Sequence, residues 1–149
     1  EPSMKIFKFR SEVRLDQKLS KVFPFFADAF NLETLTPAWL KFRVLSPKPI
    51  SIKEGTRIGY RLQIHGLPVR WVSEIVTWEP PYRFIDQQIR GPYRLWIHEH
   101  RFLDDCNGTV CQDTVRYSLW GGALVNHLLV KKIEHIFDYR QKKLRELLE

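Results

Sequence analysis

The chain is 149 residues long, 44% hydrophobic, 28% charged and 13% aromatic, which fits one folded domain with a substantial core and excludes a disordered polymer. Its formal net charge of +7 is compatible with nucleic acid, an anionic membrane or an acidic partner. No nucleic-acid-binding motif accompanies the charge, so no nucleic acid is expected.

Met4 to Leu15 alternates, with Ile6, Phe9, Val13 and Leu15 interleaved with Lys8, Arg10, Glu12 and Arg14. The alternation slips near Phe9, which predicts a strand with a bulge. From Ser20 to Asn31 the period changes. Val22, Phe23, Phe26, Ala27 and Phe30 recur at helical spacing, Ser20 is the expected cap, and Pro24 suits a first turn. A second short helix is expected over Leu32 to Leu35, stopped by Pro37.

Six strands follow in the reading: Phe42–Leu45, Thr56–His65, Val69–Trp78, Arg83–Ile89, Leu95–Leu103 and Thr109–Leu119. Turn chemistry bounds them, including Lys53-Glu54-Gly55, Glu79-Pro80-Pro81 and Cys106-Asn107-Gly108. Connections this short join antiparallel neighbours, so the sheet is expected to be a meander. After Gly121-Gly122 a long helix is expected to the end, its apolar stripe formed by Val125, Leu129, Ile133, Ile136, Phe137, Leu144 and Leu147. The compact solution is an α+β fold: a curved antiparallel sheet of about seven strands around a long C-terminal helix, with two short helices after the first strand. No repeat or linker divides the chain, so residues 1–149 read as a single domain.

Period two places Trp96, His98, His100 and Phe102 on one face of their strand. The preceding strand offers Phe84, Asp86 and Gln88, and the following one Cys111, Asp113, Val115 and Tyr117. If that shared face is concave, it forms an apolar pocket with a polar floor. A satisfied buried His–Asp cluster, or a solvent-facing pair, would give the same pattern. Arg140 interrupts the helix stripe and either snorkels or turns its charge into the hollow. Trp39, Trp71 and Trp96 serve as core or as ligand-facing surface. The candidate ligand-binding set is therefore Trp71, Asp86, Gln88, Trp96, His98, His100, Asp113, Tyr117 and Arg140.

A His-x-His pair with Asp86 or Asp113 could ligate a metal, but the pair alone is a weak signal and no metal or other cofactor is expected. A His beside an Asp could also serve as a general base, although no Ser or Cys nucleophile is placed beside either His. The two cysteines, Cys106 and Cys111, lack metal-type spacing. The Asn107-Gly108 turn should set Cys106 opposite Thr109, leaving both thiols free. No apolar run reaches the roughly 20 residues needed to span a bilayer. No secretory pattern is seen, so a cytoplasmic location is the default expectation.

The stretches Asn31-Leu32-Glu33-Thr34-Leu35-Thr36-Pro37-Ala38-Trp39-Leu40-Lys41-Phe42 and Gly91-Pro92-Tyr93-Arg94-Leu95-Trp96-Ile97-His98-Glu99-His100-Arg101-Phe102 resemble a bacterial branch of the SRPBCC (START-like) superfamily. Asp113-Thr114-Val115-Arg116-Tyr117 and Phe137-Asp138-Tyr139-Arg140 extend the resemblance over nearly the whole chain. It implies the helix-grip fold. Members of that superfamily include lipid carriers, hormone receptors, polyketide cyclases and coenzyme Q-binding proteins. The resemblance carries no catalytic set onto these positions. The leading expectation is binding of a small hydrophobic or amphipathic molecule between sheet and helix. The alternative is a cyclase- or dehydratase-like enzyme using a His–Asp pair in the same cavity. A third is a basic module that contacts an anionic membrane or a protein partner through the C-terminal helix.

Overall fold

The structure is a computed structural model and describes residues 4–149. Among these, seven strands form one antiparallel sheet, and a 27-residue helix packs on its inner face. In chain order the elements are β1 (Phe7–Leu15), α1 (Leu19–Phe26), α2 (Asn31–Leu35), a 3-10 turn at Ala38–Leu40, β2 (Arg43–Val44), β3 (Arg57–Ile64), β4 (Leu67–Glu79), β5 (Arg83–Arg90), β6 (Leu95–Asp105), β7 (Gly108–Ser118) and α3 (Gly122–Leu148). The sheet order is β1-β7-β6-β5-β4-β3-β2. Strands β2 to β7 are therefore the expected meander, and β1 is added beside β7. The short helices carry the chain from the β1 edge to the β2 edge.

The expected bulge in β1 is absent. Nine pairs run without a shift from Phe7 opposite Tyr117 to Leu15 opposite Thr109. The inward set is Phe7, Phe9, Ser11, Val13 and Leu15, while Ile6 lies outside the strand and is exposed. Phe7 packs on Tyr117 and Phe9 on Phe137, with ring centroids 5.6 and 4.9 Å apart. Those contacts start the alternation one residue later than the sequence suggested. The register shifts fall between β4 and β5 instead, with Ile89 of β5 the extra residue at Val72/Ser73 and Val76 of β4 the extra residue at Ile75/Thr77.

α1 is shorter than expected. Lys18 takes the N-cap position without a side-chain cap, so Ser20 lies inside the helix. Pro24 sits in the second turn, where it removes a backbone donor, and the helix ends at Phe26. Asp28 Oδ1 accepts from the Phe30 N–H at 3.0 Å, and the Asn31 side-chain amide donates to the Phe25 carbonyl at 2.8 Å. These two bonds turn the chain into α2.

The β6–β7 turn also differs from its expected form. Asp105 pairs with Gly108, so Cys106 and Asn107 are the central residues, both at positive φ. That is the requirement of a type I′ turn. Thr109 faces Asp104 rather than Cys106. A Cβ at Gly108 would lie 2.8 Å from the Leu15 carbonyl oxygen, so the close approach of the β1 backbone requires glycine there. Both cysteines are free: Cys106 is exposed and Cys111 buried.

α3 buries Ile133, Phe137, Arg140 and Leu144, one residue per turn along a narrow seam. Leu147, expected in that stripe, is exposed. Two apolar clusters flank the middle of the sheet. One holds Val13, Val22, Phe23, Phe84, Phe102 and Leu144 beneath α1; the other holds Val115, Tyr117, Ile133 and Phe137. His98, His100 and Asp113 lie on β6 and β7 between Phe102 of the first cluster and Tyr117 of the second.

Candidate functional site

A cavity of about 250 Å³ lies between the inner sheet face and the side of α3. Its apolar walls come from Leu35, Trp39, Phe42, Tyr60, Leu62, Trp71, Trp96, Ile133 and Phe137, among others. Asp86, His98, His100 and Arg140 supply a polar floor. A larger open groove of about 880 Å³ runs alongside it, with Lys41, Arg43 and Arg61 in its walls. The groove is charged and solvated. The smaller cavity is where an apolar molecule would lose its water.

The floor is assembled by register. Asp86 of β5 faces His98, and Asp113 of β7 faces His100. The hydrogen bonds run diagonally instead: His98 Nε2 to Asp113 Oδ1, and His100 Nε2 to Asp86 Oδ2, each 2.7 Å. The rings stack in series. Phe84 lies 4.0 Å from His100, and His100 lies 3.7 Å from His98, centroid to centroid. Phe137 meets His98 edge-on at 5.6 Å.

Arg140 reaches this stack from α3. Its Nη2 lies 3.4 Å from His100 Nδ1 and 3.5 Å from Asp113 Oδ1. Its guanidinium carbon also sits over Phe26 and Phe137, at 5.5 and 5.8 Å from the ring centroids. Arg140 Nε has no hydrogen-bond partner among the described residues. The aromatic faces on either side are its compensation. Arg140 therefore enters the hollow rather than snorkelling along the helix edge.

Burial would raise both carboxyl groups, but their partners prevail. Arg140 and the hydrogen bond from His98 hold Asp113 well below the usual carboxylate range, and the bond and charge of His100 hold Asp86 below it. Burial, then the charge of His98, pushes His100 down to about 4. A neutral His100 carries its proton on Nε2, because an ionised Asp86 can only accept. Its Nδ1 lone pair then faces Arg140. Cys111, two residues away on β7, is pushed up to about 12 by burial and by Asp113. That thiol is no nucleophile at neutral pH.

The ligating atoms of Asp86, His98 and His100 lie within 4.8 Å of one another. They fit a metal poorly. The imidazoles stack face to face, so their lone pairs do not converge on one point. Each ring already donates to a carboxylate, and the Arg140 guanidinium supplies the local cation.

Of the nine residues expected at a ligand, Trp71, Asp86, Trp96, His98, His100 and Arg140 border the cavity. Gln88, Asp113 and Tyr117 do not. The Gln88 side chain holds the β5–β6 loop through the Tyr93 carbonyl and N–H, at 2.8 and 3.1 Å. Asp113 lies behind His98 and acts through it. Tyr117 is buried in the second apolar cluster, with its hydroxyl donating to Asn126 Oδ1. Several wall residues were not singled out from the sequence. Tyr60, opposite Trp71, was accessible from the alternation Ile58, Tyr60, Leu62 of β3. Phe42 and His65, the ends of two expected strands, fall in loops just outside β2 and β3.

No protein-family model matches the chain, and no curated protein matches it. Among solved structures the fold recurs widely. A Chromobacterium violaceum protein superposes with a TM-score of 0.73 at 15% identity, over 95% of this chain and 96% of its own. A START superfamily protein from Mycobacterium smegmatis gives 0.67 at 11%, over 94% and 98%. Ginseng major latex-like protein 151 from Panax ginseng gives 0.68 at 10%, over 96% and 97%. The chain thus has the helix-grip fold of START-like proteins. At these identities the likeness concerns the fold alone.

Proposed function

We propose that the protein is a single ligand-binding domain that holds one small, largely apolar molecule between its sheet and α3. The observation that carries this reading is the cavity itself: aromatic and aliphatic walls closing on two hydrogen-bonded His–carboxylate pairs. Known ligand pockets span about 300–1,000 Å³, so a cavity of about 250 Å³ favours a compact molecule over a long-chain lipid. The walls would take its apolar body. The edges of His98 and His100 would orient one polar end, and Trp71 and Trp96 would cover its faces.

Native mass spectrometry of freshly purified protein, followed by extraction, tests this directly. A small bound compound is expected, lost or weakened in Trp96→Ala and His98→Phe, with circular dichroism showing that each variant remains folded at the assay temperature. Binding undiminished in both variants would place the ligand elsewhere.

A second reading is supported by the same hydrogen bonds. A His paired to an ionised Asp on a cavity wall can take and return a proton, as a cyclase- or dehydratase-like reaction requires. Turnover of the extracted compound, lost in His98→Gln without loss of binding, would favour it over binding alone.

A further inference from the structure

Basic residues occur at both ends of the sheet, with Arg14, Arg57 and Arg83 paired to carboxylates at one of them, whereas acidic residues are missing from the other. The pairings Phe7 with Tyr117, Leu95 with Ser118, Ile64 with Leu67 and Val72 with Arg90 bring four chain segments to one end of the sheet. None of residues 4–10, 61–73, 87–98 and 114–133 is Asp or Glu. The same segments carry Lys5, Arg70, Arg90, Arg94, Lys131 and Lys132. Acidic residues such as Asp16, Glu79, Asp104 and Asp105 lie by the turns of the opposite end.

The acid-free end is also apolar where it meets solvent. Trp120, Leu124 and Leu128 are 67%, 73% and 68% exposed, and Leu67 at the β3–β4 turn is 68% exposed. Leu124 and Leu128 are one turn apart on the face of α3 opposite Ile133 and Phe137. Arg94 lies over the Trp120 ring at 5.2 Å. One turn beyond Leu128, Lys132 Nζ is 2.8 Å from His65 Nε2, which joins α3 to the β3–β4 turn. Apolar and cationic side chains are thus exposed together at this end of the molecule.

We propose that this end docks on an anionic lipid bilayer, inserting Trp120, Leu124 and Leu128 at the headgroup level while the surrounding cations meet lipid phosphates. Charge complementarity selects the occupant. A tryptophan beside leucines, ringed by Lys and Arg, is the arrangement that enters a bilayer interface. Nucleic acid would draw on the cations but give exposed leucines no partner. Lys132 and Leu129 belong both to these turns and to the cavity wall, so docking brings the cavity beside the bilayer. The proposal stands independently of which molecule the cavity holds.

The test is co-sedimentation of the full chain with vesicles of phosphatidylcholine alone or mixed with phosphatidylglycerol. Binding is expected to the mixed vesicles. It should fall steeply between about 0.1 M and about 1 M salt, as the screening length drops from about 10 Å to about 3 Å. Leu124→Ser combined with Leu128→Ser should weaken it by about tenfold or more, with circular dichroism and thermal midpoint unchanged. Arg94→Glu combined with Lys131→Glu should weaken it comparably, and carries the test if the first variant misfolds. Equal binding to both vesicle types, or no loss in either variant, overturns the proposal. So does a wild-type dimer, seen by light scattering, that Leu124→Ser with Leu128→Ser returns to monomer.

Discussion

His98 and His100 lie face to face, 3.7 Å between ring centroids, yet each donates its Nε2 proton to a different carboxylate. Stacking disfavours two imidazolium charges side by side. The diagonal bonding to Asp113 and Asp86 fixes both ring planes. Neighbouring positions on one strand are thereby converted into a rigid polar floor.

Stability should fall as the medium is acidified from neutrality. The folded value of His100 is about 4 against an ordinary 6.5, so below 6.5 the unfolded chain binds a proton that the folded chain refuses. The contribution is fully present above 6.5 and is lost as pH falls through that window to about 4. Asp86 and Asp113, held low, add a further loss below the ordinary carboxylate range as they are forced to protonate. Urea unfolding at stepped pH should show this slope, and His100→Gln should flatten it between 6.5 and 4. An unchanged slope in that variant would remove His100 as its source.

Asp113 should be the costlier of the two carboxylates to remove. It is the more buried and serves both His98 and Arg140. Asp113→Ala leaves the guanidinium without a carboxylate and should cost about 3–5 kcal/mol in chemical denaturation. Asp86→Ala, closer to solvent, should cost less. The reverse order would show that Arg140 does not depend on Asp113.

Along α3, Leu144→Ala should cost about 2–5 kcal/mol, because Leu144 is 1% exposed inside the first apolar cluster. Ile133→Ala and Phe137→Ala should also destabilise, with Ile133 the milder, since Phe137 loses a larger side chain and its ring contacts with Phe9 and His98. Leu124→Ala, at an exposed site, should change stability by less than about 0.5 kcal/mol. Thermal or urea unfolding of the four variants would rank them.

The thiols should separate kinetically. Cys106 is exposed at the β6–β7 turn, and Cys111 is buried and pushed up to about 12. An aromatic disulfide reagent should modify one thiol per native chain rapidly and the second only after denaturation. Two fast equivalents would show that β7 opens readily next to Asp113.

What the sequence by itself determined is the part governed by local period and turn chemistry. Alternation and short connections specified an antiparallel meander, and the 3.6-residue stripe after Gly122 specified the last helix. Period two placed His98, His100 and Asp86 on one face, because Cβ direction along a strand depends only on parity. Parity could not tell which residues stand in front. Asp113 shares that face but lies behind His98, and Tyr117 is closed off by cluster packing. The start of alternation in β1 depended on Phe9 meeting Phe137, 128 positions along the chain, and the need for glycine at 108 came from the Leu15 backbone of β1. The cavity walls at Trp39, Phe42 and His65 lie in a 3-10 turn and in loops just outside β2 and β3, where their directions follow only from what they pack against. The acid-free end belongs to the tertiary structure as well. Four acid-free segments scattered through the chain become one surface only when antiparallel register aligns their ends.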